Sequence, residues 1–260
     1  MLILNEEKYA KNLYEGKVQD VKSIMTKIRY ITRYLIHSEQ RKADEVYGIT
    51  VQWLKEHHNN FDESSYSNVI SDAIKGVDKY PFYIIDSLKI TQSELETISS
   101  LDNLRAEKML FVLLCMAKQQ SMSNGFTNGL VKYSITELCK MARVSVPADD
   151  REYILYEIVR KGLLDYPKKN NTQCLIVNFV STDEVVLELD ESDCQELAYA
   201  YLSWKNGSQG YTKCQRCGRL MKQSKTKPRK YCEECAQEVQ REQKRLWAEK
   251  SRKNLTLQND

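Results

Sequence analysis

Residues 214–235 read CQRCGRLMKQSKTKPRKYCEEC, and this stretch decides how the C-terminal part of the chain folds. It holds two cysteine pairs, each enclosing two residues, with fourteen residues between the pairs. Two intervening residues let both sulfurs of a pair face one point from a tight turn, and the gap is long enough for a small hairpin. Because four thiolates form a closed set of soft ligands, the sequence predicts one structural Zn²⁺ bound by Cys214, Cys217, Cys232 and Cys235. The alternative is a redox switch or a set of free thiols.

The residues around the cysteines indicate what kind of module this is. Gly218 follows the first pair, where a backbone turn often needs a positive φ angle, and the second pair begins a helical pattern that runs from Glu233 to Lys253. A CxxCG turn, a short hairpin and a YCxxC motif that opens a helix resemble a treble-clef zinc finger, whereas a plain zinc ribbon lacks the helix. The module is also similar to small C-terminal fingers of bacteriophage and mobile-element proteins. The resemblance implies zinc binding.

Charge is divided unevenly along the chain. Lys213 to Asn254 carries fourteen Lys and Arg against five Glu, whereas the other residues carry 25 basic against 31 acidic side chains, a net charge of −6. Such density of positive charge attracts polyanions, so we expect nucleic acid, DNA rather than RNA, to contact this module. The candidate contact residues are Arg219, Lys222, Lys225, Lys227, Arg229, Lys230, Arg241, Lys244, Arg245 and Arg252.

Two alternatives remain open for this basic surface. In the first, the cations are exposed to solvent and several of them pair with Glu238, Glu242 and Glu249 on the same helix. In the second, they contact a protein. Trp247 either stacks on a base or packs on the zinc core.

Upstream of residue 205 the sequence predicts a mainly α fold, because apolar residues recur at three and four positions. Capping-box spacing at Thr91 and Ser134 predicts two helix starts, Ser192 is expected to cap the last helix, and Pro81 to Asp86 is expected to be extended. The predicted helices cover residues 18–37, 43–56, 65–77, 92–99, 104–117, 135–142, 149–161 and 192–204, and the predicted hairpin strands cover 163–166 and 174–180.

The segment from Leu104 to Val180 contains the central apolar helix, two shorter helices separated by a turn, and a hairpin. This order resembles the winged-helix arrangement. The third helix, Asp149 to Lys161, carries four acidic residues, which oppose entry into a DNA groove, so DNA contact and protein contact are both open for this segment. Lys168 and Lys169 at the hairpin tip are candidate backbone contacts.

The expected organisation is a helical N-terminal region (1–100), a winged-helix-like region packed on it (101–204), a linker (205–212), and a zinc finger with a basic C-terminal helix (213–260). No apolar run approaches the roughly 20 residues that a membrane span needs, and the N-terminus becomes polar too early for a signal peptide, so we expect a cytoplasmic protein of a bacterial or phage-infected host cell.

No nucleotide-binding or hydrolase motif occurs, and the three histidines do not form a cluster, so no enzyme is expected. Cys115 and Cys139 are expected to be small buried hydrophobic residues. The sequence favours a non-catalytic, zinc-dependent nucleic-acid-binding protein of a phage or mobile element that acts in transcription or replication. The alternative is an adaptor or inhibitor whose acidic helical part binds a host or partner protein.

Overall fold

The computed structural model describes residues 2–18, 23–125, 129–167, 174–224 and 226–256, with the backbone alone described at residues 124 and 251–256. Contacts divide the chain into two compact units. The helical unit comprises Ile3–Ser87 with Met122–Asn124, and the mixed unit comprises Leu88–Ser121 and Gly125–Asp260 with the first two residues. The predicted domain boundaries after residues 100, 204 and 212 stay predictions.

The described part of the chain is mainly α-helical, as predicted. Its α-helices are α1 (Glu6–Tyr14), α2 (Ile24–Arg33), α3 (Ala43–His57), α4 (Glu63–Lys75), α5 (Gln92–Ser99), α6 (Leu104–Asn124), α7 (Ile135–Met141), α8 (Ala148–Arg160), α9 (Leu197–Lys205) and α10 (Glu233–Thr256). Its strands are β1 (Leu88–Thr91), β2 (Leu130–Lys132), β3 (Leu164–Asp165), β4 (Cys174–Val177), β5 (Val185–Leu189), β6 (Tyr211–Lys213) and β7 (Leu220–Lys222).

The helical unit is built around apolar side chains of α1, α2, α3 and α4, including the fully buried Ile28, Ile31 and Leu54. The helix expected over residues 18–37 begins at Ile24 instead, because the Ser23 side chain accepts the Thr26 N–H and caps it; residues 19–22 lie outside the described residues. Residues 34–38 continue it as a π-helix. The stretch 81–86 is extended as predicted and pairs with the start of the chain.

Helix α6 forms the core of the mixed unit. Every residue from Met109 to Cys115 is fully buried, which explains why this segment is apolar on all sides. The capping box at Thr91 is present, since Thr91 accepts the Glu94 N–H and the Glu94 carboxylate accepts the Thr91 N–H. Glu94 also pairs with Lys118 at 2.8 Å, which ties α5 to α6.

Two small antiparallel sheets accompany α6. Strands β2, β4 and β3 form one sheet in that order, with α7 and α8 between β2 and β3 along the chain. The hairpin tip, including Lys168 and Lys169, lies outside the described residues. Strands β1 and β5 form the second sheet, with Leu88 opposite Leu189. Sequence patterns predicted β3 and β4 but not β1, β2 or β5.

Two predicted helix caps are wrong in detail. Ser134 precedes α7, yet its side chain makes no capping hydrogen bond there. Ser192 does not open a long helix: a short 3₁₀ turn over Asp193–Gln195 comes first, and α9 starts only at Leu197. The reason is local, because the Ser192 hydroxyl donates to the Asp190 carboxylate at 2.6 Å instead of accepting a helix N–H, and the same carboxylate accepts the Asp193 N–H at 2.8 Å.

None of the described helices is both long and apolar enough to cross a lipid bilayer. A cytoplasmic location stays a prediction.

Candidate metal centre

The first cysteine pair lies in a turn between two short strands. Strand β6 pairs with β7 so that Lys213 is opposite Leu220, and the turn between them contains Cys214, Cys217 and Gly218. The Cys214 carbonyl oxygen accepts the Gly218 N–H at 2.9 Å, and the Cys214 N–H donates to the Arg219 carbonyl oxygen at 2.9 Å. Gly218 has a φ angle of +74°, the left-handed conformation that was predicted for it. The backbone therefore curls around the first two sulfurs.

The second cysteine pair lies at the start of α10. Cys232 immediately precedes this helix and Cys235 belongs to its first turn, as the sequence predicted. The Cys232 N–H donates to the Cys214 sulfur at 3.3 Å, and the Gln215 N–H donates to the Lys230 carbonyl oxygen at 3.0 Å. These two hydrogen bonds join the turn of the first pair to the segment that carries the second.

The four cysteine sulfurs converge on one point. All four Sγ atoms lie within 4.8 Å of one another, and Cys217 Sγ is 3.7 Å from Cys232 Sγ. A disulfide needs about 2.05 Å between sulfurs, so these atoms are not bonded to each other. In a tetrahedral site with zinc–sulfur bonds of about 2.3 Å, neighbouring sulfurs lie about 3.8 Å apart. The cluster is therefore compatible with one metal ion held by four thiolates.

Burial and local dipoles act differently on these cysteines: burial raises the pKa of Cys217 and of Cys235, whereas the pKa of Cys214 is lowered. Cys214, Cys232 and Cys235 are buried with Met221, while Cys217 is exposed and Tyr231 packs against the cluster. Burial alone raises the pKa of Cys214, but backbone N–H groups of Cys232, Cys217 and Arg216 point at its sulfur and lower the pKa to about 6. A thiolate is the form that binds metal.

The other four cysteines are buried and lie outside this cluster. Cys115 and Cys139 are buried, as predicted, and burial raises the pKa of both thiols. Such thiols are inert. Among the described residues, one group of cysteine, histidine or acidic side chains is close enough together to share a metal ion. It consists of Cys214, Cys217, Cys232 and Cys235.

The finger, residues 211–250, is anchored to neighbouring parts of the mixed unit. The Lys213 ammonium lies 3.0 Å from an Asp190 oxygen and 3.1 Å from an Asp193 oxygen. The Tyr199 and Tyr211 rings contact each other with centroids 5.7 Å apart. The sequence alone did not predict these contacts. Charged and tyrosine side chains are common on protein surfaces, and no sequence pattern indicates which distant residue each of them contacts.

Most predicted nucleic-acid contacts lie on the finger surface as free cations. Arg219 is the exception, because it pairs with Glu234 at 2.9 Å and donates to the Gln195 side chain. Among the predicted contact residues, the exposed cations without an ion pair in the described part of the chain are Lys222, Lys227, Arg229, Lys230, Arg241, Lys244 and Arg245, and of these Arg245 interacts electrostatically with Glu242. Lys225 lies outside the described residues, and Arg252 belongs to α10 without a described side chain.

Two glutamates of α10 contact the turn of the first cysteine pair. Glu238 and Glu242 contact Arg216, which lies inside the first cysteine pair and was not among the predicted site residues, and Glu242 also interacts electrostatically with Arg245. Val239 and Glu242 line a groove against this turn and so mark the side of α10 that faces it. At 3.6 residues per turn, Arg241, Lys244 and Arg245 lie on the opposite side of the helix.

Trp247 does not pack on the metal cluster. Its side chain is 73% exposed on α10, so this alternative is wrong. The third helix of the segment 104–180, α8, exposes two tyrosines, the carboxylates of Asp149, Asp150 and Glu152, and one cation, Arg160.

A comparison with known protein families, with curated proteins and with solved structures finds no match for this chain.

Proposed function

We propose that this chain is a non-catalytic nucleic-acid-binding protein whose contact surface is held in shape by one structural Zn²⁺. The observation that carries the proposal is the set of exposed, unpaired cations around a four-cysteine cluster. Cations on a surface bind phosphates, and each phosphate contact releases counterions from nucleic acid.

Zinc is the metal that suits this donor set best. Cys214, Cys217, Cys232 and Cys235 would hold it, and four soft thiolates leave no position for water or substrate. When bound, zinc supplies cross-linking and folding energy, on the order of 10 kcal/mol or more in small modules. Few large apolar side chains are buried in the finger, with Leu220 and Met221 the main examples, so its shape depends on the metal.

The finger agrees with the treble-clef resemblance in its main parts. A turn holds the first pair between β6 and β7, and a long helix carries the second pair at its start. In this arrangement the metal fixes the start of α10, and α10 then projects its cations from a defined position.

The segment 104–177 supports the winged-helix interpretation. Helix α6 is followed by β2, α7, α8, β3 and β4, with β4 between β2 and β3 in the sheet. We assign α8 the position of a recognition helix in this topology, but its exposed side chains are mostly acidic and aromatic, and Arg160 is its one exposed cation in the described part of the helix. Phosphates repel such a surface, so nucleic-acid contact is assigned to the finger.

One observation favours the second candidate, a protein-binding adaptor or inhibitor. Tyr153 and Tyr156 on α8 are 63% and 57% exposed, and acidic residues 149, 150 and 157 surround them. Tyrosine is enriched in the central contacts of protein interfaces. A partner for this face would be a basic protein surface.

The decisive experiment measures binding of the full chain to labelled DNA and RNA over a series of salt concentrations. We expect binding at low salt that weakens steeply as salt rises, because phosphate contacts are lost to counterions. Absence of binding to any nucleic acid at low salt would overturn the proposal. A stable partner protein whose binding is lost in Tyr153→Ala/Tyr156→Ala would then favour the adaptor.

A phage or mobile-element origin, a role in transcription or replication and a preference for DNA over RNA remain parts of this proposal.

A further inference from the structure

We infer that Trp247 stacks on an unpaired base, so that the finger binds single-stranded nucleic acid in preference to a duplex. This inference rests on the proposed function. Five points carry it: the exposure of the indole, the cations on either side of it, the groove beside it, the few contacts that this part of α10 makes with the rest of the finger, and the cost of opening a duplex.

The indole of Trp247 differs from the other two tryptophans of the chain. Trp53 is 6% exposed and donates its indole N–H to the Tyr14 carbonyl oxygen, and Trp204 packs on Tyr201 with centroids 5.9 Å apart. Trp247 is 73% exposed, and no described ring stacks on it. A large aromatic side chain left in water has a free π face, which is the surface that a nucleobase stacks on.

Cations lie on both sides of this indole along the helix. Lys244 precedes Trp247 by three residues and Lys250 follows it by three, so both are surface neighbours one turn away. Both lysines are exposed and have no acidic partner among the described residues. A base on the indole would therefore place its two flanking phosphates next to positive charge.

A groove lies beside Trp247 on the side of α10 that faces the turn of the first cysteine pair. Its volume is about 590 Å³, and its lining includes Gln215, Tyr231, Gln243 and Leu246. Gln243 is one turn before Trp247 on the helix. The groove offers an aromatic wall and two side-chain amides, groups that contact the faces and edges of bases. A second unpaired base has a place there.

This part of α10 has few contacts with the rest of the finger. From Gln240 to Trp247 every residue is exposed, and the contacts of this stretch are the Arg216–Glu242 ion pair and the groove that Gln243 and Leu246 line. Because a helix gains most of its stability in water from packing, a bound strand along α10 would also stabilise the helix.

Stacking a base on Trp247 costs more free energy for a duplex than for a single strand. Its bases are already stacked on one another, and freeing one face costs a few kcal/mol of unstacking. A single strand offers its bases without that cost. The cations serve both forms equally, so Trp247 is the residue that separates them.

The test compares three full-length variants, Trp247→Ala, Trp247→Phe and Tyr80→Ala, for binding to a short thymidine single strand and to the thymidine–adenine duplex of equal length. Tyr80 is the matched control, since its aromatic side chain is 69% exposed and it belongs to the helical unit, outside the finger. We expect Trp247→Ala to weaken single-strand binding by about tenfold to a hundredfold and duplex binding by less than about twofold. Trp247→Phe should retain most of the affinity, and binding of the single strand should quench indole fluorescence in the wild type but not in this variant.

The outcomes separate the two proposals. If the wild type binds both probes and Trp247→Ala behaves like Tyr80→Ala, or loses affinity equally for both probes, base stacking is wrong while nucleic-acid binding stands. If the wild type binds neither probe at low salt, the proposed function itself fails.

Discussion

Arg216 forms a two-point ion pair with Glu242, with its Nη1 and Nη2 atoms 3.0 and 2.7 Å from the two carboxylate oxygens. Arg216 lies between the first two cysteines, and Glu242 lies in the third turn of α10. A planar guanidinium that contacts both oxygens fixes direction as well as distance. The pair therefore fixes the direction in which α10 leaves the metal cluster, and this direction decides where the cations of the helix point.

Breaking the Arg216–Glu242 pair should loosen α10 without removing the metal. We expect Arg216→Glu and Glu242→Arg each to raise amide hydrogen exchange in residues 239–250, because like charges then face each other. The double variant, which exchanges the two charges, should restore protection. Equal exchange in all four proteins would show that the pair does not position the helix.

Removing cations from the outer side of α10 should weaken nucleic-acid binding in a salt-dependent way. In Arg241→Ala/Lys244→Ala/Arg245→Ala we expect the slope of log affinity against log salt to shrink by about 2 to 3, since each lost phosphate contact contributes about 0.7 to 0.9. The matched control is Arg41→Ala/Lys42→Ala/Lys75→Ala, which removes the same charge from exposed positions of the helical unit. A loss of the same size in both variants would point to net charge alone.

Glu94 should be the most sensitive carboxylate of the mixed unit. It is fully buried, pairs with Lys118 and accepts the Ser181 N–H at 2.8 Å. Glu94→Ala leaves the largely buried Lys118 ammonium unpaired, so we expect a loss of about 3 to 5 kcal/mol in urea unfolding.

Thr91→Ala is the comparison for Glu94→Ala, because the Thr91 side chain caps α5, the helix that contains Glu94. Thr91→Ala removes one capping hydrogen bond and should cost about 1 kcal/mol. Thr91→Ser, which retains the hydroxyl, should cost less. A Glu94→Ala loss no larger than that of Thr91→Ala would mean that the buried pair is not a stabilising element.

Metal removal should unfold the finger and leave the rest of the chain folded. With a strong chelator and a reductant, we expect amide NMR signals of residues 211–250 to collapse while those of α6 persist, since α6 has its own apolar core. Nucleic-acid affinity should fall as well. Persistence of dispersed finger signals after complete metal removal would contradict a metal-dependent fold.

Local patterns were enough to predict the cysteine cluster, the positive φ of Gly218 and the buried helix α6. Each depends on residues that are near one another in sequence: paired cysteines, a glycine after the second, a continuous apolar run. The capping box at Thr91 belongs to the same class, because donor and acceptor lie three residues apart.

Long-range pairings were beyond sequence reasoning. Strand β5 is exposed at most positions, so no alternation of buried residues marked it as the partner of β1. The Arg216–Glu242 and Lys213–Asp190 ion pairs were not predictable either, because the sequence offers many other oppositely charged residues as partners. The Ser192 hydroxyl donates to the Asp190 carboxylate instead of capping a helix, and only the folded backbone shows this contact.

The most direct test is a metal analysis of the full chain, purified gently without chelators, combined with a count of reactive thiols. We expect one zinc per chain and slow reaction of Cys214, Cys217, Cys232 and Cys235 with a thiol reagent until the metal is removed. A chain without stoichiometric zinc, whose four tail thiols are reduced and react at once, would contradict the central claim.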